Sequence, residues 1–128
     1  MSEELHGCRV LVVEDEFFLA AEIEDALTRA GAEVVGPLPD LQSALDQALR
    51  APLDLAVLDI NLRDQMVYPV ADALTERGVP FLFATAYQES DLPLRHRGRR
   101  FLDKPYETST LVRELAELAR SFGGATGR

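Results

Sequence analysis

The sequence predicts an α/β protein, a three-layer, doubly wound (βα)5 sandwich built around a five-stranded parallel sheet. Three observations predict it. Short apolar runs such as C-R-V-L-V-V (8 to 13), L-A-V-L (55 to 58) and V-P-F-L-F-A (79 to 84) have the length and the bounded apolar character of buried strands. The segments between them carry apolar residues at helical spacing. Parallel strands need crossovers that are almost always right-handed, so this alternation places helices on both faces of one sheet.

The elements follow in order. After the first strand, Phe17, Ala20, Ile23, Leu27 and Ala30 form one helical stripe, which Gly31 closes. E-V-V-G is a short second strand. Asp40 is placed to cap a helix with Leu41, Ala44, Leu45, Ala48 and Leu49 on one face, and Pro52 stops it. The third strand ends at Asp59, and a polar loop runs to about Met66. Pro69 suits the first turn of the next helix, whose inner face is Val70, Ala73 and Leu74. V-P-F-L-F-A is the fourth strand. The fourth helix should be short or frayed, because Q-E-S-D-L-P-L-R-H-R-G contains Pro93 and Gly98 and only two leucines. R-F-L-D is the fifth strand, and a last helix shows Leu111, Leu115, Leu118 and Phe122 on one side. Residues 1 to 122 form one domain, and G-G-A-T-G-R (123 to 128) is expected to be a disordered tail.

Composition narrows the function classes. At 128 residues, with 47% hydrophobic and 27% charged side chains, the chain resembles an ordinary globular protein that needs no staple. It has no apolar stretch near the ~20 residues of a membrane span, and its acidic N-terminus lacks the order of a secretory signal, so a cytoplasmic location is expected. The single cysteine, Cys8, cannot form an internal disulfide and is expected to be a buried, inert thiol. A net charge of −9 argues against nucleic-acid binding through phosphates. R-H-R-G-R-R (95 to 100) is the local exception, either a solvated basic edge or a docking patch for an acidic partner. His6 and His96 are expected to be solvated.

Chemistry should collect beyond the carboxyl ends of the strands. There the first strand ends in Glu14 and Asp15, the third in Asp59, the fourth in Thr85, and the fifth in Lys104 followed by Pro105. Clustered carboxylates repel, and keeping them charged in a partly desolvated crevice requires a cation. Mg2+ fits best, because it prefers oxygen ligands and no His or Cys set suggests zinc. With the Lys104 ammonium and the Thr85 hydroxyl, the cluster forms a cradle for a phosphoryl group. Asp59 is then a nucleophile that forms an aspartyl phosphate. Tyr87 and Tyr106 flank the site.

Four short stretches, V-V-E-D-E, V-L-D-I-N, F-A-T-A and D-K-P-Y, resemble the receiver domains of two-component response regulators in order and spacing. The resemblance implies a flavodoxin-like fold with strand order 2-1-3-4-5. It implies that Asp15 and Asp59 bind Mg2+ directly, that Asn61 contributes its backbone carbonyl, and that Glu14 acts through water. It also implies a cis Lys104-Pro105 bond and a signalling role in which a histidine kinase or histidine phosphotransfer protein supplies the phosphoryl group. Phe101, three residues before Lys104, stands at the family's switch-aromatic position. V-Y-P-V-A-D-A-L, R-G-V-P-F-L-F-A-T-A-Y and K-P-Y further resemble the FATGUY subgroup of single-domain receivers, associated with alphaproteobacteria and HWE-type kinases, although Ala86 replaces that motif's glycine. Two other classes compete. A haloacid dehalogenase-like phosphatase would want a second aspartate where Asn61 stands, and a flavodoxin-like cofactor binder would want a less acidic first loop.

Overall fold

A computed structural model describes residues 3 to 126, with side chains described through residue 121. In chain order the elements are β1 (Arg9–Val13), α1 (Phe17–Arg29), β2 (Glu33–Leu38), α2 (Leu41–Arg50), β3 (Leu55–Leu58), β4 (Asn61–Leu62), β5 (Gln65–Met66), α3 (Tyr68–Arg77), β6 (Phe81–Thr85), β7 (Phe101–Asp103) and α4 (Thr108–Thr126). Five strands form one parallel sheet in the order β2-β1-β3-β6-β7. Counted alone these strands run 2-1-3-4-5, the order the resemblance implies.

The apolar runs read as strands because both of their faces are covered. Leu11, Val13, Ala56, Leu58, Phe81 and Phe83 join one core cluster with Ala44 and Ala48 of α2 and Val70 and Leu74 of α3. The alternate residues Val10, Val12, Leu55, Val57, Leu82 and Ala84 join the other, with Ile23 and Leu27 of α1 and Leu111 and Leu115 of α4. Successive side chains thus go to opposite faces, as the pleat requires. The Asp40 side chain caps α2 by accepting from the Ser43 N–H at 3.1 Å.

Several expectations need correction. Four α-helices stand among the described residues, not five, because the fourth crossover contains only two short 3-10 turns, Glu89–Asp91 and Leu94–His96. Pro93 between them lacks an N–H to continue a helix, and Gly98 lies at φ +88°. Phe17 and Leu49 are 76% and 57% exposed rather than inward. Each sits in a terminal turn of its helix, where the sheet no longer covers the stripe. Cys8 is half-buried, not buried. Helix α4 continues past residue 122 to Thr126, through the start of the expected tail, and residues 127 and 128 lie outside the described residues.

The stretch after Asp59 also gains structure. Leu62 pairs with Gln65 across a two-residue turn, with Arg63 at φ 53° and Asp64 at φ 71°. The Asn61 side-chain oxygen accepts from the Asp64 N–H at 2.8 Å, which supports that turn.

Candidate functional site

Register alone brings the strand-end residues together. Val13 is paired with Leu58, and the Asp59 N–H donates to the Val13 carbonyl at 2.9 Å, so Glu14, Asp15 and Asp59 leave neighbouring strands at one level. On the other side Thr85 pairs with Asp103, and the Lys104 N–H donates to the Thr85 carbonyl at 3.0 Å. The Lys104-Pro105 bond is cis, as the resemblance implies.

The side chains then converge. Lys104 Nζ donates to Asp59 Oδ2 at 2.9 Å and lies 3.0 Å from Glu14 Oε1, bridging two buried carboxylates. Asp59 Oδ1 accepts from the Ile60 N–H at 2.7 Å, and Glu14 Oε2 accepts from the Glu16 N–H at 3.0 Å. Asp15 Oδ2 accepts from the Arg63 N–H at 3.1 Å, so the hairpin turn orients that carboxylate. Oxygens of Glu14, Asp15 and Asp59 lie within 4.8 Å of one another.

Electrostatics follow from this crowding. Burial, and then the Asp59 charge, push the Glu14 carboxyl up to about 7, against the hydrogen bonds from Glu16 and Lys104. Burial works against the Lys104 charge, yet the hydrogen bonds to Asp59 and Glu14 outweigh it and raise the ammonium above its ordinary value. One cation therefore holds charge against two buried carboxylates, with Asp15 adding a third. This set of hard oxygen donors fits a magnesium ion and offers no soft ligand for zinc.

Thr85 is buried at the end of β6, and its Oγ1 accepts from the Tyr87 N–H at 3.2 Å, which leaves the hydroxyl proton able to donate elsewhere. The Tyr87 hydroxyl in turn receives a hydrogen bond from Asn61 Nδ2 at 3.1 Å. The Tyr106 hydroxyl is buried without a partner, and burial followed by the Glu14 and Asp59 charges raises its pKa. Phe101 is half-buried in the core cluster facing α2 and α3, its ring 6.5 Å from that of Phe83. The structure thus joins Glu14, Asp15, Asp59 and Lys104 directly and places Thr85 on the adjoining strand end, while Phe101 packs one face away.

One expectation about the basic stretch fails, that for His96, while Arg95 and Arg97 are exposed and Arg99 and Arg100 half-buried, as a solvated edge would be. His96 is 2% exposed, not solvated. The arginines are committed within the domain: Arg95 to Asp72 at 2.9 Å, Arg97 to the Leu92 carbonyl at 2.9 Å, and Arg100 to Glu114 at 2.8 Å. Arg99 lies over the Phe81 ring, 4.4 Å from its centroid. Sequence reasoning missed Asp72 as a partner and Arg63 as the donor to Asp15. The first lies 23 residues from Arg95 and the second 48 residues from Asp15, and no local pattern joins either pair.

Fold and site together define a doubly wound signalling-type α/β domain with an acidic, lysine-bridged site at the carboxyl ends of its strands. The chain belongs to the response regulator receiver domain family, whose model matches residues 10–116. It is 31% identical over 117 residues to the transcriptional regulatory protein PdtaR of Mycobacterium tuberculosis, covering 88% of this chain and 57% of that protein. The chain spans about half the length of the curated relatives it matches first. Among solved structures it is similar to SdrG from Sphingomonas melonis Fr1, with 36% identity, TM-score 0.75, and coverage of 92% of this chain and 98% of that one. It is also similar to the receiver domain of sensor histidine kinase PA1611 from Pseudomonas aeruginosa PAO1, described with a magnesium ion in its active-site cleft. That likeness has 26% identity, TM-score 0.76, and coverage of 88% and 98%. Among the described residues no helix is long and apolar enough to cross a membrane.

Proposed function

We propose that Asp59 accepts a phosphoryl group from a phosphohistidine of a histidine kinase or a histidine phosphotransfer protein. The observation that carries this reading is the Lys104 ammonium bridging Asp59 and Glu14, with Asp15 alongside. An Asp59 oxygen forms the new P–O bond while the donor's P–N bond breaks, its electron pair returning to the imidazole nitrogen. Lys104 holds the carboxylate in place and then follows charge onto a phosphoryl oxygen, and Thr85 donates its hydroxyl proton to another. Asp15, Asp59 and the Asn61 backbone carbonyl would hold Mg2+, with Glu14 acting through water. When bound, that ion neutralises charge on the transferring oxygens.

The chain then signals by contact with a downstream protein or drains phosphate from its donor, from a cytoplasmic location. The F-A-T-A-Y stretch supports membership of the FATGUY subgroup and with it an HWE-type kinase as donor. Incubation with acetyl phosphate and Mg2+, followed by intact mass measurement, tests the reading. One added phosphoryl group that maps to Asp59 is expected. No mass gain, or a label on another residue, would sink it.

A further inference from the structure

In place of a helix, the fourth crossover sends Leu92 and one polar side chain, His96, into the core. The His96 ring stacks on Tyr68 of α3, with centroids 5.8 Å apart and planes at 16°. It meets the Phe81 and Phe83 rings of β6 at 6.4 and 6.0 Å, both near edge-on. Its Nε2 lies 2.8 Å from Asp72 Oδ1. Arg95, the preceding residue, grips both oxygens of the same carboxylate at 2.9 Å. His96 Nδ1 is buried without a hydrogen-bond partner.

A neutral imidazole suits this place, since Nε2–H donates to Asp72 and Nδ1 needs only to be tolerated as an idle acceptor. A protonated ring would turn Nδ1 into a charged donor with nothing to receive it, among aromatic carbons, and burying such a group is unfavourable. The charged and titratable groups facing the ring are few. Helix α3 offers Tyr68 and Asp72, β6 offers only Phe81 and Phe83, and the segment itself offers Arg95 and Arg99. Burial, helped by the two arginines, holds the imidazole below its ordinary pKa against the pull of Asp72. Hydrogen bonds from Arg95 keep the Asp72 carboxyl below the usual carboxylate range, so it stays ionised while the histidine titrates.

We propose that His96 is an acid-sensitive latch, which when neutral pins the segment following Thr85 to α3 and β6 and when protonated favours its release. The sign follows from linkage. A released imidazole has the ordinary pKa of about 6.5 and binds a proton more readily than the latched one. The latch is therefore fully effective above about pH 7 and weakens as pH falls through 6.5. Because the segment begins shortly after Thr85, protons act on the same stretch that a phosphoryl group at Asp59 would address, yet the latch needs neither phosphate nor metal.

Amide hydrogen exchange of residues 89 to 96, corrected for intrinsic rates, tests this on the full chain without metal or phosphate. Between pH 7.5 and 5.5 the opening constant should rise by up to about tenfold. In His96→Phe, whose ring fits an aromatic pocket and cannot titrate, it should stay flat. An NMR titration of the wild-type His96 ring should give a midpoint below the ordinary value of about 6.5. A flat wild-type opening constant, an equal rise in His96→Phe, or a His96 midpoint at or above the ordinary value would overturn the proposal. If His96→Phe does not fold, the wild-type titration still decides.

Discussion

Asp59→Asn is the most informative single change because it preserves volume and removes one charge from a crowded site. The variant loses the charge-assisted hydrogen bond from Lys104, 2.9 Å long in the structure, a contribution of about 1.5 to 3 kcal/mol. It also removes a repulsion. With Asp59 and Glu14 oxygens within 4.8 Å, two full charges repel by about 3.5 kcal/mol at an effective dielectric constant of ~20. Glu14, pushed up to about 7, is only partly ionised near neutral pH, so the relief is smaller than that figure. Loss and relief nearly cancel, and Lys104 keeps Glu14 as a partner. The melting temperature of the metal-free variant should therefore lie within about 5 °C of wild type. Phosphate uptake from acetyl phosphate, read by intact mass, should fall to nothing. Equal uptake in variant and wild type would refute Asp59 as the acceptor. A destabilisation beyond about 3 kcal/mol in urea would refute this balance of charges.

Four further outcomes are expected. Mg2+ should raise the melting temperature of wild type by mass action and do so far less in Asp15→Asn, which a thermal titration checks. Thr85→Ala should still take up phosphate but lose most of the change in amide exchange over residues 88 to 98 that Mg2+ with beryllofluoride produces in wild type. Leu74→Ala, at a fully buried position between α3 and the sheet, should cost about 2 to 5 kcal/mol in chemical denaturation, with no change in which residue is phosphorylated. Asp72→Asn should flatten the acid limb of the stability curve. The Asp72 carboxyl is held below its ordinary value by Arg95, so its contribution is complete above about pH 4 and lost as pH falls further.

The misjudged residues share a cause. Phe17 and Leu49 satisfy the helical stripe by spacing, but spacing does not say where a helix outruns the sheet it packs on. His96 lies in a stretch of four arginines and reads as solvated. It is buried because Asp72, 24 residues earlier on α3, supplies a polar partner inside an aromatic pocket. Each arginine nearby also finds an acceptor or ring that no local pattern announces. Composition describes how much charge a segment carries, and only the packed fold shows which charges are already answered.

By itself the sequence determined the parallel sheet, the helices on both of its faces and the placing of Glu14, Asp15, Asp59, Thr85 and Lys104 at strand ends. These depend on local physics: period-two burial along short apolar runs, periods of three and four between them, and turn residues at the breaks. The tertiary structure alone decided that Lys104 bridges Glu14 with Asp59, that Arg63 orients Asp15, that Tyr87 joins Asn61 to Thr85, and that the fourth crossover buries Leu92 and His96 without forming an α-helix. Such contacts link residues tens of positions apart, and their strength depends on burial and distance, which come into existence only when the strands are in register and the helices have closed over them.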